Sequence, residues 1–263
     1  MNTTVPVLDV RPVPGGYCVK ATFPHPHLLR WIEEVAGKLP LIIADPPYGN
    51  IVDDAWDKVG EDDVKFCLWM LSWTRSCAGL SLPGAALYVW GGVGKYKFRP
   101  FYRYLVDVER ETTYQLSTHI TWAKKRAYGI QWGYLFCREE IAYLILGDPK
   151  KPRRFNIPLL DKKRGYAGYD PEHPAKSEYL RRTNVWMDIT EILRGKTHTA
   201  QKTPRLHEIM IETHTEVGEW VLDPFAGSGT TGFAARKLGR KFILVENDPV
   251  EFEKMVESLK SGV

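Results

Sequence analysis

The stretch VLDPFAGSGTTGFAARKLGRKFILVEND, residues Val221–Asp248, decides the fold of this chain. One apolar run ends at Asp223 and a second ends in Glu246, and a helix is predicted between them. Gly227 and Gly229 allow a tight turn after the first run. This is the order of a nucleoside-binding strand–helix–strand unit, in which glycines let a ligand reach the backbone and an acid on the second strand holds ribose hydroxyls.

The glycine loop restricts the class of ligand. It lacks the Gly-Lys-Ser/Thr sequence of a phosphate-binding P-loop. Gly227, Gly229 and Gly232 do have the G-x-G-x-x-G spacing of dinucleotide-binding proteins, so spacing alone leaves that ligand open. Asp223, however, would repel a pyrophosphate and attract the ammonium of an amino acid. S-adenosylmethionine carries an amino acid, a ribose and an adenine but no phosphate, and Asp223 therefore favours it.

A second stretch, LIIADPPYGN at Leu41–Asn50, runs from four apolar residues into an acid, two prolines and a tyrosine. Successive prolines fix φ and restrict the residues before them, so Asp45 and the Pro46 carbonyl are expected to be rigid hydrogen-bond acceptors. Tyr48 adds a flat aromatic face. Rigid acceptors beside an aromatic ring suit the binding of a planar amine.

Short apolar runs alternate with helical patterns, which predicts an α/β fold with a mostly parallel sheet. Runs such as LIIA and FILVE are apolar on both faces, as central parallel strands are. The predicted strands are Pro40–Ala44, Ala85–Trp90, Ser117–Ala123, Ile141–Leu146, Trp220–Asp223 and Lys241–Glu246. The predicted helices are Leu28–Ala36, Asp62–Ala78, Pro204–His214, Thr230–Gly239 and Pro249–Leu259. The third and fourth strands are predicted to form an antiparallel hairpin at the edge of the sheet.

The composition is that of an ordinary globular protein, with 44% apolar and 26% charged residues in 263. No apolar run is long enough to span a membrane, and no secretion signal is recognised. Cys18, Cys67, Cys77 and Cys137 form no C-x-x-C pair, so reduced thiols are expected, with neither a disulfide framework nor a metal site. A cytoplasmic protein is predicted.

The segment Asp148–Asn184 interrupts this alternation. It contains ten Lys/Arg and five Asp/Glu, a charge of +5, while the rest of the chain carries about −1. It is predicted to lie outside the sheet as a long loop with one short helix around Ala175–Arg182. A local basic excess suits a polyanion such as nucleic acid, although a solvated loop is an equally good interpretation.

DPPYG and DPFAGSGTT together resemble the catalytic and cofactor motifs of DNA amino-methyltransferases, which methylate N6 of adenine or N4 of cytosine. A third segment, HTAQKTPRLHE at His198–Glu208, is similar to the family's H-P-T-Q-K-P-x-x-L segment, which lies beside the methionine end of the cofactor. It departs from that pattern at Thr199, Ala200 and Thr203. ALYVWGG and HITWAKKRAYGIQWGYLFCREEIAYLILG are similar to intervening strand motifs, and the resemblance covers about Pro40–Leu259.

The catalytic motif precedes the cofactor motif, which resembles the circularly permuted beta group of this family. The resemblance implies a Rossmann-like S-adenosylmethionine-dependent methyltransferase fold that acts on DNA, with the target-recognition region between its halves. It divides the chain into a catalytic half at 1–147, a small recognition insertion at 148–184, and a cofactor-binding half of the same domain at 185–263. The beta group often forms dimers, so a homodimer is a further expectation.

The expected chemistry follows from the weakness of the nucleophile. The exocyclic amine of adenine donates its lone pair into the ring, so attack on a methyl sulfonium requires the nitrogen to become more tetrahedral. Asp45 and the Pro46 carbonyl, accepting both N–H bonds, would favour that change and stabilise the developing positive charge. Pro47 stiffens the turn and Tyr48 stacks on the base. Because the amine is unreachable inside a duplex, base flipping is required.

Several further residues are candidates for the site. Asp223 is expected at the methionine amine and Glu246 at the ribose. Trp122 and Tyr134 lie in segments resembling motifs that border the flipped base, although core packing is the favoured interpretation for both. The remaining cofactor-binding candidates are Pro224, Phe225, Ala226, Gly227, Ser228, Gly229, Thr230, Asn247, Asp248, Gln201, Lys202 and Thr203. The candidates for DNA contact are Lys124, Lys125, Arg126, Lys150, Lys151, Arg153, Arg154, Lys162, Lys163, Arg164, Arg181 and Arg182.

Three alternatives stay open. Family members that act on cytosine N4 more often carry serine at the position of Asp45, so adenine is favoured. A catalytically silent module that binds cofactor or DNA within a complex would be expected to lack DPPY or the glycine loop, and both are intact. RNA guanine methyltransferases also carry a DPPY-like motif, but in them the glycine loop comes first.

Overall fold

The structure is a computed structural model that describes residues 8–48, 62–92, 99–128, 132–163, 177–190 and 202–262, the side chains of residues 126 and 128 excepted. The helices are α1 (Pro26–Ala36), α2 (Asp63–Leu80), α3 (Pro100–Glu111), α4 (Pro204–His214), α5 (Thr230–Lys237) and α6 (Pro249–Ser261). The strands are β1 (Asp9–Val13), β2 (Gly16–Lys20), β3 (Leu39–Ala44), β4 (Ser81–Gly91), β5 (Tyr114–Tyr128), β6 (Phe136–Leu146), β7 (Leu159–Lys163), β8 (Tyr179–Arg181), β9 (Val185–Trp186), β10 (Trp220–Asp223) and β11 (Lys241–Glu246).

Nine strands form one mixed sheet in the order β1-β2-β11-β10-β3-β4-β6-β5-β9. The centre is parallel, since β2, β11, β10, β3 and β4 run in one direction. The β5–β6 pair is antiparallel, as is the β4–β6 pair. All the parallel strands therefore end at the same edge of the sheet, which is where ligands bind in open α/β folds.

Helices cover both faces of the sheet. In β3, Leu41 and Ile43 belong to the core that packs against α4, α5 and α6. Ile42 and Ala44 belong to the other core, built with α1, α2 and α3. Both sets are buried, which explains why the sequence of this strand is apolar without alternation. The α/β fold class and its mostly parallel sheet are confirmed.

The glycine at position 232 is required by close packing of α5 on the sheet. A Cβ added there would lie 2.8 Å from Leu244 Cδ1 and 3.3 Å from Phe242 Cε2. Only glycine lets the helix approach β11 this closely, which is the packing role of the third glycine in the G-x-G-x-x-G pattern. The first turn of α5 thereby stays against the ends of β10 and β11.

The predicted central strands and helices are all present. The β5–β6 hairpin is also confirmed, but both strands are longer than predicted, and the edge beside β5 is occupied by β9. The β1–β2 hairpin and α3 were not predicted from the sequence. Phe101, Tyr104 and Val108 give α3 a regular apolar stripe after Pro100, so the signal for that helix was present in the sequence.

The basic insertion contains a small separate sheet in which β7 pairs antiparallel with β8. The helix predicted around Ala175–Arg182 is wrong for the described residues, because Tyr179–Arg181 is extended and bonded to β7. Residues 164–176 lie outside the described part of the chain. The domain boundaries at 147 and 184 stay a prediction.

Candidate active site

The DPPY turn lies at the carboxyl end of β3, between β10 and β4. In the parallel pairing of β3 and β10, Ile42 faces Leu222, so Asp45 follows β3 beside the end of β10 at Asp223. The two most informative sequence motifs, which are about 180 residues apart along the chain, therefore meet at one edge of the sheet.

Both carboxylate oxygens of Asp45 are occupied. The Tyr48 hydroxyl donates to Oδ1 at 2.9 Å, and Lys202 Nζ lies 2.8 Å from Oδ2. Burial raises the pKa of the Asp45 carboxyl, and the Lys202 ammonium opposes that shift. Asp45 is thus a stiffly held, partly buried acceptor that already binds one N–H group.

Lys202 occupies the centre of this polar cluster. Its Nζ also lies 3.2 Å from Glu139 Oε2, 3.1 Å from the Tyr48 hydroxyl oxygen and 5.3 Å from the Tyr48 ring centroid. Its side chain is only 6% exposed. Burial alone would lower the pKa of Lys202, but the carboxylates of Asp45 and Glu139 outweigh burial and raise it. Lys202 was predicted from the sequence to be a cofactor-binding residue, whereas the structure places its ammonium on the DPPY turn.

Glu139 is a member of the cluster that the sequence analysis missed. It lies on β6, opposite Trp122 of β5, and its side chain is 14% exposed. Lys124 forms a short ion pair with Oε1, while Lys202 approaches Oε2. Burial would raise the pKa of Glu139, but the two lysines lower it below its usual value. Glu139 could have been identified from the sequence only if the pairing of β6 with β4, which brings it beside the DPPY turn, had been known.

The glycine loop after β10 is organised by two acids. Asp223 accepts hydrogen bonds from the Phe225 amide at 3.0 Å and from the Thr231 hydroxyl at 2.5 Å. Glu246 accepts hydrogen bonds from the Gly227 amide and the Asp248 amide, both at 2.8 Å. The acid at the end of each strand therefore fixes the turn, in addition to any role toward a ligand.

The loop leaves room for a ligand at Gly227. This residue has φ of 49°, and a Cβ added there would meet no atom within 4 Å. Beside it, Asp223 is almost fully buried, and burial raises its pKa to about 7, with the nearby acids Asp45 and Glu246 adding to the increase. A buried acid with two partly buried acids nearby, next to an open glycine loop, favours a ligand that carries positive charge.

The other predicted cofactor residues differ in what their side chains contact. The Phe225 ring packs edge-on against Trp73 at 5.2 Å between centroids. Asp248 caps α6 by accepting from the amides of Val250 and Glu251, and Asn247 accepts from Thr22. Thr203 precedes α4 as predicted, but its side chain makes no capping hydrogen bond. Pro224, Ala226, Ser228, Gly229 and Thr230 form the turn into α5, whereas Gln201 lies outside the described residues.

The β5–β6 hairpin extends past the edge of the sheet at which the parallel strands end and the DPPY turn lies, since Gly91 at the end of β4 is already opposite Glu140. Trp122 is buried and its indole N–H donates to the Ile189 carbonyl, as core packing requires. Tyr134 has the opposite environment, with 98% of its surface exposed, so the core-packing interpretation is wrong for it. Trp132 is 87% exposed beside it. Exposed aromatic residues this close together indicate a binding surface.

The first basic group, Lys150–Arg154, lies far from the DPPY turn. The Arg153 amide donates to the carbonyl of Gly84 near the start of β4, and its side chain pairs with Glu219, just before β10. Arg154 pairs with Glu216 at 2.5 Å. Both arginines are therefore held at the amino end of the parallel strands, at the edge of the sheet opposite the DPPY turn.

The other basic candidates are partly engaged within the chain. Lys163 pairs with Glu178 at 2.5 Å. Arg182 is buried and makes a bidentate pair with Asp188 at 2.5 and 2.8 Å, so it has a structural role. Arg181 lies 5.7 Å over the Phe155 ring, while Lys162 is exposed. Arg164 and the side chain of Arg126 lie outside the described part of the structure.

Within the described residues, no group of His, Cys, Asp and Glu side chains is arranged to hold a metal ion. No helix in the described ranges has both the length and the apolar character needed to cross a membrane.

A doubly wound sheet with a glycine loop on one strand and a partly buried Asp-Pro-Pro-Tyr turn on its neighbour defines a Rossmann-like enzyme of the amino-methyltransferase class. Comparison with known families is more specific. The chain belongs to the N6/N4 DNA methylase family, whose match spans residues 39–257. The family resemblance predicted from the sequence is therefore confirmed.

Among curated relatives, the chain is similar to the type II methyltransferase M.BamHI of Bacillus amyloliquefaciens, with 28% identity over 240 residues, covering 84% of this chain and 52% of that protein. The match thus spans about half the length of M.BamHI. It is also similar to the type II methyltransferase M2.DpnII of Streptococcus pneumoniae, with 26% identity over 224 residues, covering 79% of this chain and 77% of that protein.

Two solved structures share the fold. The PvuII DNA methyltransferase, described as cytosine-N4-specific, superposes with a TM-score of 0.66 at 16% identity, covering 95% of this chain and 94% of that chain. The M1.HpyAVI–SAM complex superposes with a TM-score of 0.60 at 24% identity, covering 89% of this chain and 94% of that chain.

Proposed function

We propose that this protein transfers a methyl group from S-adenosylmethionine to N6 of an adenine that is flipped out of DNA. The observation that carries this proposal is the position of Asp45 and Tyr48, held together at the end of β3 beside the glycine loop of β10. An amine acceptor and a cofactor loop thereby share one edge of the sheet.

The DPPY turn supplies the acceptors for the base. Asp45 already binds an ammonium at 2.8 Å, which supports its use as an acceptor for an amine that gains positive charge. The Pro46 carbonyl is the proposed second acceptor, and the prolines keep both in place. The Tyr48 ring is the proposed stacking partner of the base, with its orientation fixed by the hydrogen bond to Asp45.

The glycine loop supplies the proposed cofactor site. S-adenosylmethionine, when bound, provides the electrophilic methyl group. Asp223 would face its ammonium, Glu246 its ribose hydroxyls, and Gly227 would allow close approach of the ligand to the backbone. The buried acids suit a ligand with both an ammonium and a sulfonium, and the open space at Gly227 fits it.

DNA is proposed to lie against the catalytic edge, over the β5–β6 hairpin. Trp132 and Tyr134 are exposed there, and Lys124 lies on the same hairpin between them and the pocket. Aromatic side chains can stack on unpaired bases or enter the space that a flipped base leaves. The basic residues of the insertion that lie at the opposite end of the sheet, Arg153 and Arg154, are not part of this proposed surface.

Adenine is proposed over cytosine because Asp45 stands where family members that act on cytosine more often carry serine. The test is to incubate the purified protein with tritiated S-adenosylmethionine and, in parallel reactions, DNA from a host that lacks DNA methylation or RNA of matched sequence, followed by mass spectrometry of the nucleosides. N6-methyladenine is the expected product. N4-methylcytosine would contradict the base assignment, and methylation of RNA alone would contradict the substrate class.

The catalytic assignment is tested by Asp45→Asn, which keeps the shape of the side chain and its bond to Tyr48. Methyl transfer should fall by a factor of roughly 10² or more, while the affinity for S-adenosylmethionine, measured by calorimetry, should change little. A folded variant that transfers methyl groups at the wild-type rate would refute the role of Asp45.

A further inference from the structure

The Lys202 ammonium occupies the position that an incoming amine needs. The Tyr48 hydroxyl donates to Asp45 Oδ1, and Lys202 Nζ lies 2.8 Å from Oδ2. A base amine that donates to Asp45 therefore competes with these two donors for the carboxylate. Tyr48 is held in the same turn as Asp45, whereas Lys202 reaches the turn on a long side chain from the segment before α4. Lys202 is the group that can move.

Glu139 provides the place to which Lys202 can move. In the described part of the chain, it is the only other carboxylate that forms an ion pair with Lys202, and its Oε2 lies 3.2 Å from Nζ. Its other oxygen is engaged by Lys124 from the neighbouring strand. A small rotation of the lysine side chain is enough to leave Asp45 while the charge of Lys202 stays paired.

We propose that Glu139 is a positioning residue for methyl transfer, which draws the Lys202 ammonium off Asp45 when the target amine binds. This inference rests on the proposed function and adds a residue that lies outside the DPPY and glycine-loop motifs. Glu139 makes its contribution through Lys202 and does not touch the reacting nitrogen.

The charge of Glu139 also matters for the reaction itself. The attacking nitrogen becomes positive as it takes the methyl group, and a second positive charge close by in a poorly solvated pocket opposes that change. Glu139 pairs with Lys202 and cancels this charge locally. Without Glu139, Asp45 is the only carboxylate left beside Lys202 among the described residues, so the lysine both competes for the acceptor and leaves its charge beside the transition state.

The experiment is a double-mutant cycle with Glu139→Gln, Lys202→Met and the combined variant, measured as single-turnover methyl transfer at saturating DNA and cofactor. Glu139→Gln should lower the rate constant by roughly 10- to 100-fold, with cofactor and DNA affinity changed by less than about threefold. In the Lys202→Met background, Glu139→Gln should lower the rate constant by less than about threefold, because the lysine that Glu139 positions is absent.

A matched control is Lys124→Met, which removes the other cation on Glu139 without touching Asp45. The penalty for Glu139→Gln should persist in that background. Equal penalties in the wild-type and Lys202→Met backgrounds would overturn the inference, as would a wild-type rate for Glu139→Gln itself.

A second measurement does not depend on activity. A crystal structure with an adenine-containing oligonucleotide in the pocket should show Lys202 Nζ on Glu139 and away from Asp45. An ammonium still bound to Asp45 opposite the base would overturn the inference. By contrast, a wild-type protein that methylates no DNA would refute the proposed function, so the two failures are distinguishable.

Discussion

Asp223→Asn tests the electrostatics of the glycine loop through protein stability. In the folded protein, burial raises the pKa of Asp223 from 3.8 to about 7. The difference between these pKa values corresponds to roughly 4 kcal/mol, an upper limit for the effect of one carboxyl on stability. Asparagine can keep both contacts, accepting from the Phe225 amide and donating to the Thr231 hydroxyl. The variant therefore removes the charge with little change in packing.

The sign follows from proton binding. The folded state holds the Asp223 proton more tightly than the unfolded chain does, so this contribution to stability is complete below about pH 4 and is lost as the pH rises through about 7. Without ligand, the stability of the wild type should fall over that interval relative to the variant. Near pH 8, Asp223→Asn should be the more stable protein by roughly 2–4 kcal/mol.

The assay is urea unfolding of both proteins, without cofactor, at several pH values from about 5 to 8. Asp161→Asn on the exposed strand β7 serves as the control for loss of a surface carboxyl. The quantity to compare is the difference in free energy of unfolding between variant and wild type, since other groups titrate in both. Parallel curves across this range would refute the argument that burial in the loop protonates Asp223.

Three further predictions concern the surfaces around the site. Gly227→Ala should lower the free energy of unfolding by about 1 kcal/mol, because the φ of 49° at this position is unfavourable for a residue with a side chain. It should also weaken S-adenosylmethionine binding, measured by calorimetry, by roughly tenfold, and unchanged affinity would argue against ligand approach at this residue. Tyr134→Ser should weaken DNA binding by roughly 5- to 20-fold in fluorescence anisotropy, with an unchanged melting temperature, and normal DNA affinity would exclude the hairpin from the interface. Arg153→Ala should leave DNA affinity and its salt dependence unaltered, because Arg153 pairs with Glu219 at the end of the sheet opposite the DPPY turn. A smaller dependence of DNA affinity on salt in this variant would place DNA at that end of the sheet.

The central part of the fold could be predicted because its physical signals are local. The buried strands are apolar on both faces, and the turns that end them carry prolines or glycines at fixed spacing. The same signals located Asp45 and Asp223. By contrast, β1 and β2 are short and only partly buried, with few features that distinguish them from loop. The predicted helix at Ala175–Arg182 failed because pairing with β7 fixes Tyr179–Arg181 in an extended conformation.

The role of the polar cluster could not be predicted, because it depends on register between distant strands. Glu139 and Glu140 are adjacent in sequence and chemically alike. The pairing of β5 and β6 places Glu139 toward Lys202, while Glu140 contacts His119 and Arg138. Lys202 was assigned from its motif to the cofactor, and only the packing of the segment before α4 brings it onto Asp45.

The strand order has a consequence for how the chain reaches its native state. The β1–β2 hairpin lies on one side of β10 and β11, and β3 lies on the other. Residues from early in the sequence thus flank two strands that are synthesised much later. During translation the two early pieces cannot be joined until residues 220–246 leave the ribosome, so the acceptor turn and the cofactor loop are completed in the same late event. A partial chain would expose unpaired strand edges without assembling a working site.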